Sequence, residues 1–219
     1  MCPCNGNKLS KTCNIYLVNI SILFILSHFR YTGEDGFELS IMADKITDVT
    51  EALLSSTAGS VELSGLGARD SLRLEAGLCL YGNDIDEDTT PIEAGLTWTI
   101  GKRRRVLQNN EDDFPGAEII LRQLKEKPTR KRVGLISQGP PARSHTAVID
   151  AGSGEKISEV TSGCPAPSIE GNNVNVGMAY LPSSMSKSGT KVLLRVRNKD
   201  VEATVSKMPF VPSKYYAMK

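Results

Sequence analysis

The spacing of apolar residues between positions 31 and 127 predicts a mixed unit of helices and strands. Apolar side chains alternate at Phe37, Leu39 and Ile41, which indicates a half-buried strand. Apolar positions at helical spacing predict helices further along this stretch. The predicted helices are a short one capped by Asp44 or Asp48 and ending at Leu54, one over residues 65–78 and one over residues 114–127.

Two further elements are predicted between these helices. The stretch Thr89–Glu93 has a Thr cap followed by Pro at the first helical position, which is typical of a helix start. A strand is predicted around Trp98, closed by the basic run Lys102–Arg105.

After Pro128 the apolar pattern changes from helical to strand-like. Short runs rich in β-branched residues are separated by turn sequences such as GPP at 139–141 and GSG at 152–154. Six strands in so short a stretch favour a small antiparallel barrel or sandwich. The predicted strands cover 131–137, 147–150, 156–161, 176–181, 191–197 and 201–207. The residues therefore predict an α+β fold class, with a mixed α/β unit over 31–127 and an all-β unit, either barrel or sandwich, over 128–219.

Residues 1–30 differ in composition from the rest of the chain. The segment Asn14–Phe29 is a run of apolar residues shorter than the roughly 20 residues that span a bilayer. Neither a small-residue cleavage site nor an Arg-rich amphipathic transit pattern accompanies it. We therefore expect residues 1–30 to be an unrelated apolar leader outside the fold. Membrane attachment through residues 14–29 is the alternative, and it is not favoured.

Composition and charge narrow the possible functions. The chain has 219 residues and a formal net charge of +1, so it is not the globally basic protein typical of nucleic-acid binders. The charge is nevertheless segregated. Residues 31–100 carry fourteen acidic and three basic side chains, whereas residues 101–145 carry eleven basic and five acidic ones. This contrast predicts either complementary faces or a basic site for an anionic ligand.

Motifs for metal, phosphate or nucleophilic chemistry are not evident. Cys2, Cys4 and Cys13 could form a soft metal site, but a fourth ligand and a C-x-x-C pair are missing, so no metal is predicted. The chain contains no P-loop, H-E-x-x-H or G-x-S-x-G sequence. His145 lies among turn residues and is predicted to be an exposed loop histidine rather than a general base.

Two charged features could bind a ligand. Glu75 follows Leu74 near the end of a predicted helix, where its carboxylate could accept hydrogen bonds from a planar pair of N–H donors. A surface ion pair of Glu75 with Arg69 or Lys102 is the alternative. The run Lys102–Arg105 could bind a polyanion or a pterin-type carbonyl, or it could be a charged face opposite the acidic region.

Longer segments resemble a known family. They are similar to the aminomethyltransferases of the glycine cleavage system, the T-proteins, specifically to their C-terminal portion. The similar segments are YTGEDGFE at 31–38, the whole of 65–105, DFPGAE at 113–118, RVGL at 132–135, TSGCPAPS at 161–168 and SKMPFVPSKYY at 206–216.

The resemblance implies a fold, a reaction and a set of site residues. Residues 31–127 would be the rear part of the family's mixed α/β folate-binding domain, which is therefore partial, and residues 128–219 would be its small C-terminal antiparallel β-barrel. The family transfers a one-carbon unit from an aminomethyl group on the lipoyl arm of the H-protein to tetrahydrofolate, with release of ammonia. Glu75 corresponds to the family's pterin-binding glutamate, Arg104 to a folate-contacting arginine and Tyr215 to a C-terminal tyrosine of the same pocket. Arg143 corresponds to an arginine that lines the active cavity. A mitochondrial location follows from the family alone.

The resemblance also limits the expected activity. The family's catalytic aspartate belongs to an N-terminal portion that these residues do not resemble, and Asp35 is not its counterpart. We therefore expect this chain to be truncated, catalytically silent on its own and weak in folate binding. The alternative function is that of a folate-binding module from a sarcosine or dimethylglycine dehydrogenase.

Overall fold

The structure is a computed structural model that describes residues 11–17, 20–105 and 114–216. The chain forms two compact units, the first made of Met1–Arg69 and Ser213–Lys219 and the second of Asp70–Pro212. Within the described ranges, no helix is both long and apolar enough to span a membrane.

A three-stranded antiparallel sheet forms the first unit together with a short helix. Strand β1 (Lys11–Leu17) pairs with β2 (Ile20–Phe29), and β2 pairs with β3 (Gly36–Ser40). The strand predicted around Phe37 is thus present. The pairing of β2 with β3 differs from the expectation that residues 1–30 take no part in the fold. A run rich in isoleucine and leucine satisfies its backbone groups by joining a sheet. The division of the chain at residues 30 and 127 stays a prediction.

Helix α1 covers Ile46–Leu54, where a short helix was predicted. Its cap differs from the prediction. Lys45 precedes the helix without a side-chain cap, and Asp48 lies inside the first turn. An acidic residue there still favours the helix through its interaction with the helix dipole.

The second unit contains a closed antiparallel barrel, one of the two architectures that the strand pattern predicted. Its strands are β4 (Arg130–Gln138), β5 (Ala147–Asp150), β6 (Lys156–Pro165), β7 (Val174–Pro182), β8 (Lys191–Val196) and β9 (Lys199–Ser206). The strand order is β4-β7-β6-β5-β8-β9, and pairing of β4 with β9 closes the barrel. Apolar side chains from all six strands fill the interior, among them Leu135, Val148, Val160, Leu181, Leu194 and Val205.

Two helices accompany the barrel. Helix α2 covers Leu66–Glu75, and helix α3 covers Ala117–Glu126. Leu74 near the end of α2 is fully buried against Cys164, Val176 and Met178 of strands β6 and β7. This apolar contact places the C-terminal end of α2 on the outside of the barrel wall.

The predictions for Thr89–Glu93 and Trp98 were wrong. The first stretch forms a single turn: Thr90 Oγ1 accepts a hydrogen bond from the Glu93 amide, but Gly95 then adopts a left-handed φ of +71° and ends it. Trp98 lies in a 3₁₀ turn, Thr97–Thr99, and the basic residues form another, Lys102–Arg105. Local cap signals were present, but the next glycine overrides them.

Candidate functional site

A glycine cap ends helix α2 directly beside Glu75. The Leu78 amide donates to the Arg73 carbonyl at 2.9 Å, and the Gly77 amide donates to the Leu74 carbonyl at 2.9 Å. These are the paired hydrogen bonds that close a helix whose residue after the last turn is left-handed. Gly77 has a φ of +73°, so Glu75 is the last residue of the helix and its direction is set by the cap.

The cap is also crowded. A Cβ atom added to Gly77 would lie 2.8 Å from the Cβ atom of Met208. The segment that contains Met208 continues to Phe210 and Val211, whose amides both donate to the Glu75 carbonyl, at 2.9 and 3.1 Å. Two neighbouring amides of this segment therefore hold the Glu75 carbonyl in place.

The Glu75 side chain is buried, with 3% of the residue exposed. Its Oε1 atom accepts the Ser168 amide at 3.0 Å, from the loop that follows strand β6. This burial rules out the surface ion pair that the sequence left open as an alternative. Within the described part of the chain, no hydrogen bond reaches the Glu75 Oε2 atom, and no fully buried side-chain oxygen or nitrogen lacks a partner, so Oε2 is open to solvent.

This geometry leaves Glu75 able to bind a ligand. An ionised carboxylate offers about four acceptor positions, and Ser168 occupies one of them. A ligand with two adjacent N–H donors could therefore bond to both oxygens at once. Such charge-assisted bidentate contacts are among the stronger polar interactions in proteins.

An ion pair supports the same helix end from inside the second unit. Arg73 and Asp84 are each only 1% exposed, and Arg73 Nη1 lies 2.6 Å from Asp84 Oδ2. Asp70 also contacts the Arg73 guanidinium, at 2.7 Å, but its side chain is 38% exposed. A buried pair of this kind requires that its remaining donors and acceptors be satisfied.

Strand β6 supplies most of the hydrogen-bond partners that the Arg73–Asp84 pair requires, because it contains a bulge. Its register with β7 shifts between Val160 and Ser162, so Thr161 is an extra residue. In a regular strand the side chains of Thr161 and Ser162 would point to opposite faces, but here both reach one carboxylate. Thr161 Oγ1 donates to Asp84 Oδ1 at 2.5 Å, and Ser162 Oγ donates to Oδ2 at 2.9 Å.

Arg143 contacts the same strand. Its Nη1 atom donates to the Gly163 carbonyl at 3.3 Å, and its backbone amide donates to Thr146 Oγ1. The side chain is exposed and lines an open cleft of about 540 Å³ together with Pro140, Pro141, Thr146, Arg195, Val196 and Arg197. Arg143 and Glu75 are therefore both held by the stretch 163–168.

Arg104 and Tyr215 have different surroundings. Arg104 is exposed in the 3₁₀ turn of basic residues, with its guanidinium carbon 5.8 Å from the ring centroid of Phe114. Tyr215 belongs to the first unit, where its hydroxyl donates to the Arg30 carbonyl at 3.1 Å and the Arg30 guanidinium lies 4.8 Å from its ring centroid. The convergence of Glu75, Arg104 and Tyr215 on one cavity stays a prediction.

The remaining candidates from the sequence are not at this site. His145 is an exposed loop residue, as predicted, and its Nδ1 atom lies 3.3 Å from Glu159. Cys2 and Cys4 lie outside the described residues. In the ranges that are described, no group of three or more His, Cys, Asp or Glu side chains is arranged to hold a metal ion.

Comparison with known families identifies this architecture. Residues 12–104 match the family described as "GCVT N-terminal domain", and residues 130–212 match "Glycine cleavage T-protein C-terminal barrel domain". The chain belongs to the glycine cleavage T-protein family. The first match begins ahead of Tyr31, where the resemblance of the sequence was expected to start, so part of the apolar stretch falls within the family region.

Curated T-protein relatives are named mitochondrial aminomethyltransferases. The relative from Flaveria trinervia is 53% identical over 191 residues, which cover 87% of this chain and 45% of the relative. Relatives from Mus musculus and Gallus gallus are 53% and 54% identical over 189 residues, covering 86% of this chain. This chain thus spans about half the length of the curated relatives that it matches.

A solved T-protein structure has the same fold. The glycine cleavage system aminomethyltransferase T from Bartonella henselae matches with a TM-score of 0.79 and 42% sequence identity. The match covers 89% of this chain and 51% of that one. The α+β class with a C-terminal barrel, as well as the resemblance noted from the sequence, is confirmed.

Sequence reasoning missed several residues that shape the site in this T-protein chain. They are Arg73, Asp84, Thr161, Ser162 and Ser168. An arginine in the last turn of a predicted helix, followed by Asn-Asp in a turn, was a weak signal for an internal ion pair. No local pattern indicated which strand would supply the hydroxyl groups, because the partners are far apart in sequence.

Proposed function

We propose that this chain takes part in the aminomethyltransferase reaction of the glycine cleavage system. In this reaction, a one-carbon unit passes from the aminomethyl group on the dihydrolipoyl arm of the H-protein to tetrahydrofolate. The products are methylene-tetrahydrofolate, ammonia and the reduced lipoyl arm. Membership of the T-protein family supports the reaction class, and the names of the relatives favour it over the dehydrogenase alternative.

The single observation that carries the proposal is the state of Glu75. The carboxylate is buried, one oxygen is held by the Ser168 amide, and the other has no donor within the described residues. The aminopyrimidine edge of a pterin presents adjacent N–H donors, which suit such a carboxylate. Burial strengthens the contact because water competes less for the same groups.

Three further residues are proposed to contact folate or to line the cavity. The exposed guanidinium of Arg104 suits a carbonyl or carboxylate of the folate. The Tyr215 hydroxyl donates to a backbone carbonyl, so its oxygen can still accept a hydrogen bond from the ligand. Arg143 would line the cavity near the barrel strand that supports Glu75. No residue of this chain is proposed as the catalytic acid or base.

The partners and location follow from the same proposal. Tetrahydrofolate is the acceptor substrate, and the lipoylated H-protein is the donor. The curated relatives are named as mitochondrial proteins, so we propose a mitochondrial location for this one.

A fusion protein tests the proposed function. The part of the Bartonella henselae relative that this chain does not match would precede residues 31–219. Turnover is measured as methylene-tetrahydrofolate and ammonia formed from aminomethyl-loaded H-protein. We expect turnover by the fusion, and we expect Glu75→Gln to lower kcat/KM for tetrahydrofolate roughly 10- to 100-fold, since hydrogen bonds to a charged group are lost.

The matched control is Glu155→Gln. Glu155 is an exposed glutamate in the turn before strand β6, so its substitution removes the same charge without touching the helix end. The proposed role of Glu75 is wrong if both substitutions leave turnover alike in a fusion that retains its circular dichroism spectrum. The proposed reaction class is wrong if a folded fusion shows no turnover even when aminomethyl-loaded H-protein or tetrahydrofolate is supplied in excess.

The 219-residue chain by itself is the second test. We expect no lipoyl-dependent turnover from it and weak folate binding at most, because the residues proposed here bind and orient folate but do not move protons. Micromolar binding of tetrahydrofolate in a calorimetric titration, or any turnover, would contradict this expectation and leave the family assignment intact.

A further inference from the structure

We propose that Asp84 is a positioning residue for the Glu75 carboxylate and acts through Arg73. Hydrogen bonds link Asp84 to Arg73 and Arg73 to the helix cap, and Glu75 lies within that cap. The ligand that Glu75 binds rests on the proposed function, but the positioning relationship concerns this chain alone.

The first step is the anchoring of Asp84 to the barrel. Both of its oxygens accept hydroxyl hydrogen bonds from adjacent residues of strand β6, Thr161 and Ser162. Its Oδ2 atom also accepts the Leu80 amide at 2.9 Å. The Asp84 carbonyl accepts the Tyr180 hydroxyl from strand β7 at 2.7 Å. Bonds from two neighbouring strands and from its own loop leave Asp84 little freedom to move.

The second step connects Asp84 to the helix cap. Arg73 Nη1 donates both to Asp84 Oδ2 and to the Leu78 carbonyl, at 2.6 and 3.0 Å. Leu78 is the residue whose amide closes the cap on the Arg73 carbonyl. The Arg73 guanidinium therefore binds both Leu78, which closes the cap, and Asp84, which is anchored to the barrel. Arg73 Nη2 adds a donor bond to Ser162 Oγ at 2.9 Å.

The third step leads from the cap to Glu75. Glu75 lies two residues after Arg73 and two residues before Gly77, so it sits inside the turn that the guanidinium braces. A bound ligand needs its partner groups held within a fraction of an ångström, and such placement requires locked supporting side chains. Loss of the Asp84 charge would release Arg73 and allow the end of α2 to move away from Ser168.

Asp70 does not have the same role. It also contacts the Arg73 guanidinium, but it lies on the exposed side of the helix. In the described residues, neither barrel hydroxyl that holds Asp84 contacts Asp70. Removing the Asp70 carboxylate would leave the link from barrel to cap intact.

Hydrogen exchange of the Ser168 amide reports on the positioning. Ser168 is an exposed residue, and its amide donates a hydrogen bond to the Glu75 side chain, so we expect this bond to protect the amide from exchange. The experiment uses the full 219-residue chain, with exchange followed by nuclear magnetic resonance. The Glu75→Gln variant serves as the reference, since it gives the exchange rate of the Ser168 amide when the charged acceptor is lost. We expect Asp84→Asn to speed exchange of this amide about tenfold, towards that rate, and Asp70→Asn to change it less than twofold.

A second control separates positioning from general loss of stability. Glu93 is another buried carboxylate of the same unit and is hydrogen-bonded to Gln123 and Arg130. At temperatures equally far below each midpoint of unfolding, Glu93→Gln should leave exchange at Ser168 unchanged. If Asp84→Asn does not fold, Ser162→Ala replaces it and should speed exchange in the same direction.

Each outcome either supports or overturns the positioning role of Asp84. Faster exchange in the Asp84 or Ser162 variant but not in the Glu93 and Asp70 variants supports positioning. Wild-type protection in Asp84→Asn, or equal loss of protection in Glu93→Gln, overturns it. No folate is present in this experiment, so its failure leaves the proposed function standing. Conversely, unchanged turnover in the Glu75→Gln fusion would overturn only the proposed role of Glu75 in folate binding.

Discussion

The Arg73 guanidinium and the Asp84 carboxylate form an ion pair of 2.6 Å in which both residues are almost fully buried. The partners are eleven residues apart, and strand β6 completes their hydrogen bonds. Removing one member would leave the other charge buried without its partner. That cost normally exceeds the net contribution of the intact pair.

A double-mutant cycle checks this reasoning. Asp84→Ala and Arg73→Leu are each expected to lower the free energy of unfolding by about 3–5 kcal/mol. The double variant should lose clearly less than the sum of the two, because neither charge is then left unpaired. Urea unfolding followed by circular dichroism gives all four values. Additive losses would show that the two side chains do not depend on each other.

Gly77 should be the least replaceable glycine of the site. Gly77→Ala places a side chain at a left-handed φ and also against Met208. Gly95→Ala is the matched control, since Gly95 has a similar φ of +71° and open space around its Cβ position. The left-handed backbone alone costs about 1–2 kcal/mol.

The difference between the two alanine variants isolates the contact with Met208. We expect Gly77→Ala to lose at least about 1 kcal/mol more than Gly95→Ala in urea unfolding, the usual scale of overpacking. Gly77→Ala should also speed exchange of the Ser168 amide, because the cap that directs Glu75 is distorted. Equal losses in the two variants would mean that Met208 moves aside without cost.

The contacts of Asp35 predict that its hydrogen bond with the Tyr216 amide, within the first unit, depends on pH. The Tyr216 amide donates to Asp35 Oδ2 at 2.6 Å, and Arg30 contacts Oδ1 at 2.9 Å. The hydrogen bond from Tyr216, helped by the Arg30 charge, lowers the pKa of Asp35 below its ordinary value of 3.8. A lowered carboxyl pKa means that the interaction is complete above pH 3.8 and is lost as the pH falls through the folded-state value.

The measurement is exchange protection of the Tyr216 amide. It should fall as the pH is lowered through the folded-state pKa of Asp35. Asp35→Asn should remove the same protection at neutral pH, whereas Asp44→Asn, which changes an exposed aspartate of this unit, should not. Protection that survives in Asp35→Asn would show that other contacts hold the segment.

Tyr180 should resist ionisation. Burial raises the pKa of Tyr180 far above its usual value of 10, and its hydroxyl donates to the Asp84 carbonyl. In an alkaline titration followed by ultraviolet absorbance, Tyr180→Phe should leave the signal up to about pH 11 unchanged. Tyr81→Phe, which removes an exposed tyrosine, should lower that signal by one residue's share. A smaller signal in Tyr180→Phe would place Tyr180 in contact with water.

Much of the fold was predictable because its signals are local. The six barrel strands follow from β-branched runs bounded by turn residues, and α3 follows from apolar positions such as Ile120 and Leu121. A strand or helix of this kind needs only its own side-chain pattern to be recognised. The same local reasoning failed at Thr90, where a sound cap signal is followed by a glycine that ends the turn.

The sequence by itself determined the strand and helix pattern of the barrel unit and the family resemblance, and it led to the prediction that Glu75 binds a ligand. Only the tertiary structure decided that Glu75 is buried, that Ser168 holds it and that Arg73 and Asp84 brace the helix end. These contacts join residues as many as 93 positions apart. They depend on the order of strands around the barrel and on one extra residue in β6, and neither leaves a local pattern in the sequence.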